Sequence, residues 1–197
     1  MVAREDTRGE IIRKGAELIH VRGYNATGIQ QILQSAGIPK GSFYFYFKSK
    51  EDFCLAVIDH FTAVIGEDFR RFLDDKRLSP IKRFEALFEY YESIFIHTGG
   101  ALGCPIGNLS LELADASNRL RERLKTAIEA LIDKIASCLE EARQEKSIPE
   151  QLNVHDAARF IFQGFEGAIL HMKVSKSIEP FQLFRRYVQE YLHFRKH

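Results

Sequence analysis

The chain has 197 residues, of which 45% are hydrophobic, and a formal net charge of +1. This length and composition are those of a globular protein with one large domain or two small ones and a well-buried core. No apolar run approaches the ~20 residues of a membrane span, and the charged N-terminus lacks the apolar stretch of a secretory signal, so we expect a cytoplasmic protein with no membrane contact.

The charge is distributed unevenly along the chain. Residues 1–50 hold eight basic and four acidic side chains, whereas the remainder has a net charge of −3. A basic N-terminal segment followed by a nearly neutral remainder is typical of a phosphate-contacting module joined to another domain.

The three cysteines are isolated in the sequence. Without a Cys-x-x-Cys pair, Cys54, Cys104 and Cys138 indicate neither a disulfide framework nor a zinc site, and we expect no metal and no cofactor. Cys54 and Cys138 fall in helical apolar patterns and are interpreted as small core residues.

Nearly every segment has the apolar periodicity of a helix, which predicts an all-α protein. In chain order the expected helices cover residues 4–22, 28–36, 40–45, 49–75, 80–97, 106–114, 117–146, 153–175 and 179–194. Thr27 is the expected N-cap of the second helix, with Gln30 at the capping-box distance, and Ser49 and Asn153 are the expected caps of two later helices.

Residues 27–47 have the spacing of a helix-turn-helix, with two short helices joined at Gly37. Phe43 and Phe47 lie one turn apart and are expected to face the core. The polar groups of Lys40, Ser42, Tyr44 and Tyr46 are then left to donate to phosphate oxygens, and Lys40 can also reach a guanine edge. Composition alone fits an aromatic core helix with solvated lysines equally well.

The motif distinguishes these two interpretations. Gly37-Ile38-Pro39-Lys40-Gly41-Ser42-Phe43-Tyr44, followed by Tyr46-Phe47 and Ser49-Lys50-Glu51-Asp52, resembles the helix-turn-helix of the TetR (tetracycline-repressor-like) family. The resemblance implies a homeodomain-like three-helix DNA-binding domain at residues 1–48, with its motif at about 28–47. It also implies a helical domain at 49–197 that binds an effector and dimerises.

The resemblance also implies roles for individual residues. Thr27 would hold a phosphate, Gln30 would touch the DNA, and Lys50 would clamp another phosphate at the start of the fourth helix. The recognition-helix contacts would be Lys40, Gly41, Ser42, Tyr44 and Tyr46. Only Gln30 and Lys40 have side chains well suited to reading bases.

The helix at 153–175 has two apolar faces, so we expect it to be buried on both sides. One face packs within its own domain. The other is predicted to form a homodimer together with the last helix, at 179–194, in a four-helix interface. A monomer that buries both faces internally is the alternative.

A palindromic double-stranded DNA operator and a small-molecule effector are the expected partners, with the fourth helix as the lever between them. The predicted effector pocket has aromatic walls and a few orienting polar groups, although an aromatic stripe is more often plain core. The candidate residues are Phe88, Tyr91, Phe95, Phe162, Phe165, Asn108, Glu112 and Glu166.

Cys104 lies in a glycine-flanked turn before a helix, where the thiol pKa can be lowered. Some TetR-like regulators sense electrophiles or oxidants with a cysteine in a similar turn. Cys104 is therefore a candidate sensor as well as a candidate ligand contact, and an inert buried thiol is the alternative.

Two other classes of protein, an enzyme and a helical adaptor, are the alternatives to a regulator. The sequence has no nucleotide-binding loop, nucleophile elbow or zinc-hydrolase motif, so we expect no enzyme. A helical adaptor that binds no DNA would not need Lys40, Tyr44 and Tyr46 together. Repression rather than activation is what the resemblance implies.

Overall fold

The computed structural model describes residues 4–193, except for the side chains of residues 4–6, 40 and 193. These residues form nine α-helices, one 3-10 turn and no strand, which confirms the all-α expectation. The helices are α1 Arg4–Arg22, α2 Ile29–Ser35, α3 Phe43–Tyr46, α4 Lys50–Leu73, α5 Pro80–Thr98, α6 Pro105–Leu113, α7 Asn118–Gln144, α8 Val154–Ser175 and α9 Glu179–His193. No helix in this part of the chain is long and apolar enough to cross a membrane.

Two of the predicted caps are confirmed. The Ser49 hydroxyl accepts a 3.0 Å hydrogen bond from the Asp52 amide at the start of α4. The Asn153 side chain accepts the amides of His155 and Asp156, at 3.1 and 3.2 Å, at the start of α8. Each side chain satisfies amides that lack a partner within the helix.

The predicted start of α2 was wrong by one residue. Gly28, not Thr27, is the N-cap, and Gln31, not Gln30, closes the capping box by accepting the Gly28 amide at 2.8 Å. The Thr27 hydroxyl instead donates to the carbonyl of Gly23 at 2.7 Å, because its side chain is buried under the turn.

The third helix also differs from its predicted form. Residues expected to form one helix over 40–45 form a 3-10 turn, Lys40–Ser42, followed by α3. The 3-10 turn begins directly after Pro39, whose carbonyl accepts the Ser42 amide at 3.0 Å, a bond between residues three apart. The predicted end of the last helix at Phe194 lies outside the described residues.

The first of two compact units comprises the chain up to Val64 together with Pro105–Ile128. Its core is formed by buried side chains from α1, α2, α3 and α4, including Ile11, Ile32 and Phe53. A Cβ atom at Gly15 would lie 2.3 Å from the ring of Phe53, so glycine allows α1 to approach α4 closely.

The second unit comprises Ile65–Cys104 and the chain from Glu129 onward. Its centre is aromatic, with Phe181 contacting Phe95 and Phe165 at ring-centroid distances of 5.1 and 5.9 Å. The α4 and α7 helices each have residues in both units, so the units do not divide at one point of the chain. The sequence-based division after residue 48 stays a prediction.

Candidate DNA interface and effector site

The recognition segment is anchored by two phenylalanines. Phe43 and Phe47 are buried, as predicted, with ring centroids 5.4 Å apart. Both rings also contact Phe53 of α4, at 5.8 and 5.1 Å. These aromatic contacts fix the rotation of α3 about its axis and therefore decide which of its residues face outward.

The outward residues include most of those that the sequence singled out. Tyr44 is 69% exposed, and a Cβ atom at Gly41 would meet nothing within 4 Å. Ser42 and Tyr46 are half-buried beside them. The side chain of Lys40 lies outside the described residues.

Phe45 is an exposed residue of the recognition segment that the sequence did not single out. Its ring is 58% exposed and packs edge-on against Tyr46 at 5.0 Å. The signal was present in the sequence, because Phe43 and Phe47 both point inward and the residues between them must then point outward.

The α2 helix contributes one exposed candidate and one buried one. Gln30 is exposed in the first turn of α2, where its side chain is free to reach a groove. Thr27, by contrast, is fully buried, and its hydroxyl already donates to Gly23.

Lys50 lies against the turn that joins α1 to α2. Its ammonium donates to the Tyr24 carbonyl at 2.6 Å and lies 4.1 Å from the centre of the Tyr24 ring. Burial raises the pKa of Tyr24 to about 12 and lowers the pKa of Lys50. The ammonium therefore has a partner at the carbonyl end of α1, where a cation is favoured by the helix dipole.

The carboxylate of Glu112, in α6, also holds this turn. Its Oε2 accepts the amide of Tyr24 at 2.8 Å and its Oε1 accepts the amide of Asn25 at 2.6 Å. Glu112 and the half-buried Asn108 both belong to the first unit. The sequence named both as ligand-orienting groups and did not foresee that Glu112 bonds to this turn.

The second unit contains the predicted aromatic residues around a small cavity of about 20 Å³. The cavity is lined by Phe69, Phe84, Leu87, Phe88, Tyr91, Ile135, Ile161, Phe162 and Phe165. Phe95 stacks on Tyr91 at 6.1 Å and contacts Phe165 at 6.3 Å. All five predicted aromatic residues are thus neighbours. The cavity is about large enough for one water molecule, so an effector must displace side chains to enter.

Two carboxyl groups border this aromatic cluster. Asp68 accepts hydrogen bonds from the hydroxyls of Tyr90 and Tyr91, at 3.1 and 3.5 Å, and burial raises its pKa. Burial also raises the pKa of Glu166, while a hydrogen bond from Cys104 opposes that rise. Glu166 Oε1 is buried and has no hydrogen-bond partner among the described residues. Asp68 was not among the sequence candidates, since it lies in an ordinary amphipathic stretch.

The three cysteines differ in their surroundings. Cys54 and Cys138 are buried core residues, as the sequence predicts, and burial raises the pKa of both to about 12, which disfavours the reactive thiolate. Cys104 is also buried but contacts the Glu166 carboxyl. Within the described residues, no three His, Cys, Asp or Glu side chains form a group that could hold a metal ion.

The outer faces of α8 and α9 form an apolar surface, which we call the α8–α9 face. Phe160, Leu170, Val174, Leu183, Tyr187 and Tyr191 are exposed there, with Val174 the most exposed at 77%. The rings of Phe160 and Tyr191 lie 5.1 Å apart beside a groove of about 530 Å³. The opposite side of α8 is buried, so the helix is apolar on two sides, as its sequence pattern indicates.

A helix-turn-helix with an anchored, outward-facing recognition segment, joined to a helical unit with an aromatic centre, defines a DNA-binding transcriptional regulator. Residues 11–57 match the profile described as bacterial regulatory proteins, tetR family, and residues 80–188 match the tetracyclin repressor-like C-terminal domain. The chain belongs to the TetR family, whose members bind DNA operators as dimers and respond to small molecules. It is a ligand-responsive transcriptional repressor of that family.

Individual relatives resemble the chain over nearly its whole length. The HTH-type transcriptional repressor DhaR of Mycobacterium sp. (strain GP1) is 33% identical, over 97% of this chain and 94% of DhaR. The crystal structure of regulatory protein TetR from Rhodobacter sphaeroides has a TM-score of 0.86 at 29% identity, covering 95% of this chain and 98% of that one. Reduced NemR of E. coli has a TM-score of 0.85 at 26% identity, covering 95% and 97%.

Proposed function

We propose that two copies of this chain bind a palindromic operator through their recognition segments and that a small molecule in the second unit releases them. The observation that supports the proposed DNA binding is the anchoring of α3. Buried Phe43 and Phe47 hold the segment, so that Tyr44 and Gly41 face outward on the side opposite the core.

The proposed DNA contacts have two roles. Gln30 and Lys40 read base edges, since amide and ammonium groups match the hydrogen-bonding patterns of adenine and guanine in the major groove. Ser42, Tyr44, Tyr46, Lys50 and the backbone at Gly41 position the protein on phosphates. Thr27 supports the turn through its bond to Gly23, and its hydroxyl reaches a phosphate only if that bond opens.

The α8–α9 face is the proposed dimer interface, in the helices at 153–175 and 179–194. It exposes large apolar side chains from both helices, and a second copy placed by a twofold axis would cover them in a four-helix arrangement. Such a dimer can present two recognition segments about one DNA turn, roughly 34 Å, apart.

The effector site is proposed at the aromatic cluster of the second unit. Phe88, Tyr91, Phe95, Phe162 and Phe165 would contact the apolar part of the molecule, with Glu166 as an orienting polar group. An effector that binds better to a state with a different spacing of recognition segments shifts the population away from DNA, with α4 as the lever. Asn108 and Glu112 of α6 stay predictions as ligand contacts.

Fluorescence anisotropy with the protein's own upstream promoter DNA, at stated salt concentrations, tests the DNA part. Wild type is expected to bind with a steep salt dependence, and Gln30→Ala to change the preference among operator variants. Gln144→Ala, an exposed amide in α7, is the matched control. Wild-type binding no tighter than to unrelated duplex DNA would refute the proposal.

A second candidate for the release step is covalent sensing by Cys104. The observation that favours it is the hydrogen bond between Cys104 and the Glu166 carboxyl, which provides an acceptor for the thiol proton. The inducer would be a molecule with an electron-poor carbon–carbon double bond. As the thiol proton passes to Glu166, the sulfur would bond to the β-carbon, the π bond would break, and its electron pair would take up a proton at the α-carbon. Mass spectrometry after mild alkylation, with DNA binding followed in parallel, separates this route from non-covalent release.

A further inference from the structure

The turn between α1 and α2 is held by groups that are far apart in the sequence. After α1 ends, the Gly23 amide still bonds to Ile19 at 2.8 Å, so the next two amides are the first without a partner in the helix. Glu112, 88 and 87 residues further on, accepts both of them, with one carboxylate oxygen for each. Hydrogen bonds to an ionised acceptor are the stronger kind, and two of them fix direction as well as distance.

The conformation of the turn is matched to this carboxylate. Gly23 has a φ of +86°, which other residues adopt at a cost. A Cβ atom at this position would lie 3.1 Å from Glu112 Oε2. Glycine therefore provides both the backbone angle and the room that the carboxylate needs.

The same turn also accepts a hydrogen bond from a cation, Lys50. Lys50 donates to the Tyr24 carbonyl, so the peptide groups around Tyr24 are bonded by both an ammonium and a carboxylate. The α2 helix begins at Ile29, only four residues after Asn25, and the recognition segment follows α2. The orientation of this turn therefore sets the direction in which both DNA-facing helices leave α1.

The α6 helix, which contains Glu112, is itself firmly packed within the first unit. Ile106, Leu109 and Leu113 of α6 are buried, and Glu112 projects from its last turn. A carboxylate on a packed helix is positioned more precisely than one on a loop, and it therefore fixes the turn more precisely.

We propose that Glu112 is a positioning residue for DNA recognition: its carboxylate on α6 holds the α1–α2 turn so that α2 and α3 point correctly into the groove. This inference rests on the proposed DNA-binding function. It assigns control of the DNA-facing helices to α6, in addition to α4.

A purely electrostatic effect and a positioning role predict opposite changes in the DNA affinity of Glu112→Gln. Removing a negative charge from a DNA-binding unit strengthens attraction to phosphates. If Glu112 were only a surface charge, Glu112→Gln would bind DNA more tightly. A positioning role requires weaker binding, since the glutamine side chain can accept only one of the two amides and presents a donor to the other.

The experiment compares wild type, Glu112→Gln, Glu112→Asp and the control Glu122→Gln in the full-length protein. Glu122 is an exposed carboxylate of α7 in the same unit. Anisotropy with promoter DNA is expected to show about tenfold weaker binding for Glu112→Gln, which corresponds to the loss of one charge-assisted hydrogen bond. The slope of log K against log salt should stay unchanged, because no phosphate contact is removed.

Amide hydrogen exchange followed by NMR provides the second measurement. The amides of Tyr24 and Asn25 should exchange faster in Glu112→Gln, while core amides of α4 keep their protection. Glu112→Asp retains the charge but has a shorter side chain, and it is expected to weaken DNA binding without unfolding the unit.

Equal or tighter DNA binding by Glu112→Gln would overturn the inference, as would unchanged exchange at Tyr24 and Asn25. If Glu112→Gln does not fold, undiminished DNA binding by Glu112→Asp would overturn it. Failure of wild type to bind promoter DNA would instead count against the proposed function, so the two failures are distinguishable.

Discussion

The ammonium of Lys50 donates a 2.6 Å hydrogen bond to the carbonyl of Tyr24 and lies 4.1 Å from the centre of its ring. In this arrangement Lys50 stabilises the turn between α1 and α2. To contact a phosphate, the same ammonium must either donate to both the phosphate and this carbonyl or give up the carbonyl. Stabilisation of the turn and phosphate binding are therefore linked at one side chain.

Lys50→Ala is expected to weaken DNA binding to a similar extent for all operator sequences, because the residue positions the protein and reads no base. The salt dependence should flatten by about one unit of slope for each protomer, as one phosphate contact is lost. Anisotropy titrations between low and physiological salt measure both effects. Lys125→Ala, an exposed lysine of α7 in the same unit, is the control. An unchanged slope with weakened binding would mean that Lys50 acts only on the turn.

The α8–α9 face should lose its self-association when a charge is introduced. Leu170→Glu and Tyr187→Glu each place a carboxylate on this exposed apolar surface, where a dimer would have to desolvate it. Both variants are expected to be monomeric at micromolar concentration by size-exclusion chromatography with light scattering, and to bind operator more weakly. Ile96→Glu, on the exposed side of α5, is the control and should leave the mass unchanged. A monomeric wild type would contradict the proposed interface.

Arg83 is expected to be the largest single polar contribution to the stability of the second unit. Its buried guanidinium donates to the carbonyls of Leu73, Asp75 and Leu78 and to Glu141 at 2.6 Å. Arg83→Met should lower the free energy of unfolding by about 3 kcal/mol, since the carbonyls of Leu73 and Leu78 lose this donor while Glu141 keeps only Lys76 and Asp75 keeps the amide of Leu78. Urea denaturation followed by circular dichroism measures the change. Arg77→Met, at an exposed ion pair with Asp75, is the control and should leave the free energy of unfolding nearly unchanged.

The same cluster predicts a loss of stability in acid. Hydrogen bonds from Lys76 and Arg83 lower the pKa of Glu141 below its ordinary 4.5. A carboxyl group whose pKa is lowered by folding stabilises the native state above its unfolded pKa, and this contribution disappears as the pH falls through the lower, folded value. The unfolding midpoint in urea should therefore decrease below about pH 4.5, and the decrease should be smaller in Glu141→Gln. Equal acid sensitivity in both proteins would assign the effect to other groups.

Cys104 should be the first of the three thiols to react with N-ethylmaleimide under native conditions. Cys54 and Cys138 are protected by burial, which raises the pKa of both to about 12, whereas Cys104 has the Glu166 carboxyl as a proton acceptor. Peptide mass spectrometry at increasing times measures the order of labelling. Modification only at Cys54 or Cys138 would rule out Cys104 as a sensor, and so would modification of Cys104 without loss of DNA binding.

The sequence alone was sufficient to predict which face of the recognition segment points outward. Phe43 and Phe47 one turn apart required an inward face, and the polar ends of Tyr44 and Tyr46 followed from it. The aromatic residues of the second unit were also found as a set, because Phe88, Tyr91 and Phe95 repeat at helical spacing. Asp68 was missed, since nothing local distinguishes a carboxylate that two tyrosines will contact from one that faces water.

By itself, the sequence determined the positions of most helices, the caps at Ser49 and Asn153, and the family motif at 27–50, because each depends on residues within a turn or two of one another. Tertiary structure decided which groups complete the turn between α1 and α2. Thr27 turned inward to Gly23, and Glu112 reached Tyr24 and Asn25 from α6. The reason is physical: an amide left free at a helix end takes whichever acceptor the fold brings close, and no local pattern records that acceptor.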